Sequence, residues 1–159
     1  VTLSVQPLPV EEIEEALRAS RLDFAIGNLP ELMPRTRHQV LFEETYVCMT
    51  GRRRGVPSGA ALSLDQFVRA AHVNVKSVEH SHHALDDALR AQGVGRNIAL
   101  EVPHFVALPS VLSVTDLYAT LPKRLAQILN RDNAFRLYDL PVTLPPAPVT
   151  VDADPARLI

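Results

Sequence analysis

His104 and Phe105 are the residues of this chain best placed for binding chemistry. They follow Pro103 at the end of an apolar, strand-like run, Asn97–Val102, and precede a helical run that accepts Pro109 in its first turn. An anionic ligand at that point would meet free backbone N–H groups, the positive end of a helix dipole and an imidazole. The Phe105 ring would add a stacking surface for an aromatic group. Four other places are comparable. Gly27-Asn28 ends the run Leu22–Ile26, where glycine permits close backbone approach and the asparagine amide both donates and accepts. Lys76-Ser77 ends the run His72–Lys76 and offers a cation and a hydroxyl. Leu8-Pro9 follows Val1–Gln6, and Thr115-Asp116 leads into Leu117–Leu121. Three of them have a plainer reading: Phe105 as core with His104 as a solvated turn residue, Asp116 as a solvated turn residue, and Gly27-Asn28 as an ordinary turn.

Other chemistries have less to stand on. His80, His82 and His83 cluster, and His82/Asp86 and His83/Asp87 stand at a spacing that puts two ligands on one helix face. A zinc site needs three or four convergent ligands, and no such set is evident. These residues therefore read as a polar loop and a first helical turn. The chain has no G-x-S-x-G elbow, no P-loop and no H-E-x-x-H. Its one cysteine, Cys48, lies in the apolar run TYVCM without an evident base, so it reads as a buried structural thiol. A single cysteine also allows no internal disulfide and fits a reducing compartment. No catalytic residue, cofactor or metal is expected. An α/β enzyme acting through His104 and Asp116 is an alternative that turnover on any substrate would support.

Composition sets bounds. A hydrophobic content of 47% over 159 residues excludes a disordered chain. The net charge is −2 with dispersed basic residues, and the one basic run, Arg52-Arg53-Arg54, lacks aromatic interleaving. It reads as a solvated turn, and DNA binding by this chain is unsupported. No apolar run reaches the ~18 residues of a membrane span, and no signal peptide is expected.

Positioning elements follow from hydrophobic period and punctuation. After a strand at Val1–Gln6, helices are predicted over Val10–Ala19, Leu64–Ala70 with Ser63 as N-cap, and His82–Ala91 stopped by Gly93. Two more begin near Pro109 and Pro122. Strands are predicted over Leu22–Ile26, Leu41–Thr50, His72–Lys76, Asn97–Val102, Leu117–Leu121 and Phe135–Leu140. Residues 141–148 hold four prolines and should not form a central strand. Alternating strands and helices predict an α/β fold with parallel-rich sheets covered on both faces. Passages near 41–50 and 135–142 predict two lobes, the first from 1–47 plus 137–159 and the second from 48–136.

Four stretches in order carry a family resemblance: LRASRLDFAIGNLPEL (Leu17–Leu32), LFEETYVCM (Leu41–Met49), ALDDALRAQGVGRNIALEVPHF (Ala84–Phe105) and VPHFVALPSVLSVTDLYATLPKRLA (Val102–Ala126). Together they resemble the co-inducer-binding domain of LysR-type transcriptional regulators, in the branch of nodulation and aromatic-degradation regulators. The resemblance implies a two-lobed, periplasmic-binding-protein-like domain with mixed, mostly parallel sheets and two crossover strands. It implies a small effector held between the lobes by Leu8, Pro9, Gly27, Asn28, Lys76, Ser77, Pro103, His104, Phe105 and Thr115, without cofactor or metal. It implies a homodimer within a tetramer, with Val10–Ala19 and Ile98–Leu112 as pairing surfaces, and a cytoplasmic location. DNA contact is expected only through an N-terminal winged helix-turn-helix that this chain lacks. Against the family pattern, the first strand and helix of the first lobe, and a W-H-x-R stretch where Val151 runs into Asp152, are also missing. Few positive charges near His104, and the ring beside it, suggest a small aromatic or weakly acidic effector. The alternative is a two-lobed periplasmic solute-binding protein.

Overall fold

The computed structural model describes residues 2–53, 55–76 and 81–156, with the backbone alone for 81–84. In chain order the elements are α1 (Val10–Arg18), β1 (Ala25–Gly27), β2 (Arg37–Glu44), β3 (Tyr46–Gly51), α2 (Leu64–Arg69), β4 (Ala71–Val75), α3 (Ser81–Ala91), β5 (Asn97–Val102), α4 (Leu108–Val114), β6 (Tyr118–Pro122), α5 (Lys123–Leu129), β7 (Phe135–Asp139) and β8 (Ala147–Ala153). A 3-10 turn, Phe105–Ala107, precedes α4. Contacts divide the chain into one unit of Val1–Glu43, Val78–Ser81 and Pro146–Ile159, and another of Glu44–Ser77 and His82–Pro145.

In the first unit the strand order is β1-β8-β2. β1 runs antiparallel to β8, with Ala25 opposite Asp152 and Gly27 opposite Thr150. α1 forms because Ile13, Ala16 and Leu17 recur on one face, with Glu11 and Glu12 at its positive end and Arg18 at its negative end. Ile13 and Leu17 bury against Leu29 and Leu32. Two expectations fail here. Residues 2–9 form no regular element, and Leu3 and Val5 are 70% and 84% exposed. Alternation alone makes no strand, because the backbone groups need a neighbour to pair with. Conversely Pro148 does lie in a central strand, β8. It stands at the strand's second residue, outside the Thr150–Asp152 stretch that pairs with β1.

In the second unit the order is β5-β4-β6-β3-β7. β4 is parallel to β5 and β6, while β3 is antiparallel to β6 and β7. The α/β class stands, but the expected majority of parallel pairs does not. The single strand expected over Leu41–Thr50 is two, β2 and β3, parted at Thr45. Tyr46, which opens β3, faces Pro122, which closes β6. The chain therefore enters at the edge where the parallel strands end, and β3 has to run against them. Every residue of Val47–Gly51 is buried. Val47 and Met49 face Leu108, Leu112 and Ala126 from α4 and α5. Cys48, between them, faces Phe67, Leu85 and Leu89 from α2 and α3. A strand covered on both faces reads as a continuous apolar run, as Val47–Met49 does. α2 is held by a capping box in which Gln66 N–H donates to Ser63 Oγ and Ser63 N–H to Gln66 Oε1.

Candidate functional site

β4 and β5 end together, because Val75 stands opposite Val102 in a parallel ladder. Lys76 N–H donates to the Val102 carbonyl at 2.8 Å, so Lys76 lies beside the Pro103-His104 turn. The Lys76 ammonium stands 3.7 Å from Glu101, a surface pair worth little by itself. His104 is exposed, in extended conformation, and its carbonyl accepts from Ala107 N–H at 3.2 Å. The 3-10 turn separates His104 from α4, so the helix dipole expected beside it is set back by one turn. Phe105 is half-buried and packs against the cluster of Leu108, Leu112 and Val75, so only part of its ring meets solvent. Ser77 and His80 lie outside the described residues, as do the side chains of His82 and His83.

Thr115 is not brought to this edge. Tyr118 pairs with His72 near the start of β4, which places Thr115, three residues earlier, at the amino edge of the parallel strands. α4 carries the chain back across the sheet before β6 begins, as any parallel crossover must. The Thr115 hydroxyl donates to the Val111 carbonyl at 2.8 Å and accepts from Leu117 N–H at 3.4 Å. Asp116 sits at the same amino edge, ion-paired with Arg53 at 2.8 Å. The His104 and Asp116 of the enzyme alternative are thus at opposite edges.

In the first unit, Leu8 packs on the cluster that contains Leu29, which follows Asn28 directly. Leu8-Pro9 and Gly27-Asn28 therefore flank one apolar cluster. Pro9 starts α1, its carbonyl accepting from Glu12 N–H at 3.0 Å. A side chain on Gly27 would come 3.3 Å from Leu29 Cγ. A groove of about 240 Å³ runs beside α1, lined by Val10, Glu11, Glu14, Glu31, Leu32 and Arg35. It includes none of the expected contacts, and Glu14 is already paired with Arg18 and Arg35.

Several roles escaped the sequence reading. The Arg96 side chain is 2% exposed and donates to Asp86 and to Asn74 Oδ1, the latter at 3.1 Å. Asp87 pairs with Arg90 at 2.7 Å. Both carboxylates weighed as metal ligands are thus engaged by arginines. Arg52 and Arg53 are not merely solvated. Arg52 holds the Asn133 carbonyl at 2.8 Å, and Arg53 donates to the Leu112 carbonyl at 2.6 Å in the last turn of α4. A short-range reading of a basic run has no access to partners so distant in sequence. His72 is wholly buried, with Nε2 2.8 Å from the Phe67 carbonyl. A carbonyl only accepts, so Nε2 carries the proton and Nδ1 is bare; Nδ1 has no partner among the described residues. Burial pushes the His72 pKa down and nearby Arg96 adds to this, against the opposing pull of the Phe67 carbonyl. The Cys48 thiol is pushed up to about 12 by burial, despite Arg96 and Thr120. It stays protonated, as a structural thiol should.

Two α/β units with polar residues gathered at strand ends define a small-molecule-binding module. More narrowly, the chain belongs to the LysR substrate binding domain family, whose model matches residues 1–152. It is 38% identical to the HTH-type transcriptional activator NagR of a Ralstonia species over 115 residues, covering 72% of this chain and 38% of NagR. It is 32% identical to nodulation protein D 2 of Rhizobium tropici over 165 residues, covering 98% of this chain and 52% of that protein. The solved effector binding domain of QuiR in complex with shikimate shares the fold, with a TM-score of 0.75 at 13% identity over 95% of this chain and 71% of that one. The resemblance carried by the four sequence stretches is borne out, and the chain is a LysR-type effector-binding domain. The solute-binding alternative is not favoured. The relatives are transcriptional regulators, and the chain spans 38% and 52% of the two named. Among the described residues no helix is long and apolar enough to cross a membrane.

Proposed function

We propose that this domain regulates transcription by binding a small carboxylic acid with a flat ring, without catalysing its conversion. The observation that carries this reading is the adjacency of Lys76 and His104 at one strand edge, beside the half-exposed Phe105. A cation and an imidazole suit a carboxylate, and the phenyl edge suits a ring. The shikimate held by the QuiR domain is itself a ring carboxylate. On the second unit the proposed contacts are Lys76, Ser77, Pro103, His104 and Phe105; Leu8, Pro9, Gly27 and Asn28 are separate candidates on the first unit. Thr115 drops out, its hydroxyl being engaged at the other edge. Effector binding shifts a conformational equilibrium. The intact regulator works as a cytoplasmic homodimer or tetramer that contacts DNA through a separate winged helix-turn-helix.

Thermal-shift titration against benzoate, cyclohexanecarboxylate and benzyl alcohol tests the ligand class, followed by calorimetry on hits. Acids should stabilise the domain, and Lys76→Ala or His104→Ala should weaken the gain. Equal stabilisation by the alcohol, or an acid response unchanged in both variants, refutes the reading. Light scattering on the intact regulator tests the assembly.

A further inference from the structure

We propose that the outer edge of β2 is a self-pairing surface, on which a second copy of this chain adds its own β2 antiparallel about a two-fold axis at Val40. β2 is the terminal strand of its sheet, so one side of its backbone is unpaired among the described residues. It has eight residues, without proline or glycine, and Arg37–Leu41 and Glu43 are exposed. Long edge strands are normally blunted by proline, a bulge or a central charge. Here the centre is Gln39-Val40-Leu41, with Val40 and Leu41 each 47% exposed. The charges stand at the flanks and are opposite in sign: Arg37 before the apolar centre, Glu43 after it.

Strand geometry selects the register. N–H and C=O groups alternate sides along a strand, so two identical strands related by a two-fold axis must set one residue opposite itself. With Val40 on the axis, Arg37 faces Glu43 of the partner subunit, and the same ion pair recurs at the other end. His38 then faces Phe42 of the partner subunit, and Gln39 faces Leu41 of the partner subunit. With Leu41 on the axis, Gln39 would face Glu43 of the partner subunit and His38 would face Glu44 of the partner subunit. Glu44 is already buried, accepting from Thr45 N–H at 3.0 Å and Arg124 N–H at 3.4 Å. With Gln39 on the axis, Arg37 would face Leu41 of the partner subunit and the charges would go unmatched. The Leu41 register would set more apolar pairs, Leu41 against itself and Val40 against Phe42 of the partner subunit, but only the Val40 register pairs opposite charges at both ends while setting Val40 against itself. Neither Arg37 nor Glu43 has an ion pair within the chain among the described residues. The result is an isologous strand addition.

Cysteine cross-linking of the full chain tests the register directly. Cys48 is wholly buried and does not compete. Under mild oxidation Val40→Cys should give a covalent dimer on a non-reducing gel, because cross-strand partners lie about 4.5–5.5 Å apart between Cα atoms. Arg37→Cys should not, since the two copies of residue 37 would lie roughly 20 Å apart along the strands. Sedimentation equilibrium tests the charges: Arg37→Glu should loosen the dimer about tenfold, the scale of two cross-strand pairs turned repulsive, and adding Glu43→Arg should restore it. A wild-type chain that stays monomeric at its highest soluble concentration overturns the proposal. So does cross-linking of Val40→Cys no faster than Arg37→Cys, or a double variant as weak as the single one. Circular dichroism confirms that each variant is folded.

Discussion

Lowering the pH from about 7.5 to about 5.5 should cost this domain up to about 1.4 kcal/mol of stability through His72 alone. The structural cause is specific. Nε2 donates to the Phe67 carbonyl, and Nδ1 is buried and bare. A second proton on Nδ1 would be a charged donor with no acceptor, within reach of the Arg96 charge. The folded pKa of His72 therefore lies below that of an exposed imidazole, and about 1.4 kcal/mol is the ceiling reached if the folded ring stays neutral across the range. In the unfolded chain it takes up a proton near its ordinary value of about 6.5. The folded pKa is depressed, so the stabilisation is complete above the unfolded value and is lost as pH falls through it toward the folded one. Across two pH units centred on about 6.5, a group neutral throughout in the folded state contributes RT ln 10, about 1.4 kcal/mol. Other titrating groups contribute too, so the measurement is a difference. His72→Gln keeps a donor for the Phe67 carbonyl and removes the titration. Urea unfolding of both proteins across this range should give a gap that favours the wild type at pH 7.5 and narrows by about 1 kcal/mol at pH 5.5. Parallel pH profiles for the two proteins would refute the assignment of a neutral, unpartnered ring.

Arg96→Met should destabilise the domain by about 3 kcal/mol in the same assay; a buried cation is lost and Asn74 is orphaned, while half-exposed Asp86 regains water. Gly51→Ala should cost about 1–3 kcal/mol, because the new methyl would stand 2.4 Å from the Leu112 carbonyl oxygen and displace the Arg53 clamp; an unchanged melting point would show that the α4 end yields freely. His104→Ala should weaken effector binding by about 1–2 kcal/mol in calorimetry, the scale of one charge-assisted hydrogen bond. Phe105→Ala should weaken binding and also lower the melting temperature, since the ring packs on the core. Thr115→Val should leave affinity unchanged, and a loss equal to that of His104→Ala would overturn the edge assignment.

Residue order alone carried the family and the kinds of element. α1 was legible because its apolar face repeats at helical spacing, and α2 because Ser63 is an N-cap residue directly before it. β4 and β5 were legible as short apolar runs bounded by polar residues. These signals are local, so one chain segment contains them. The tertiary structure decided whatever depends on partners far away in sequence. Residues 2–6 alternate as a strand would, yet none of the described residues pairs with them, while β8 takes in Pro148 at its second position, outside the stretch paired with β1. Lys76 and the Pro103-His104 turn share one edge because two parallel strands end at the same level, and Thr115 leaves that edge because α4 crosses the sheet first. Asp86, one helical turn from His82, looked like half of a metal site until Arg96 reached it from ten residues on. Spacing along a chain limits which groups could meet; only strand direction and the competition of other side chains determine which of them do.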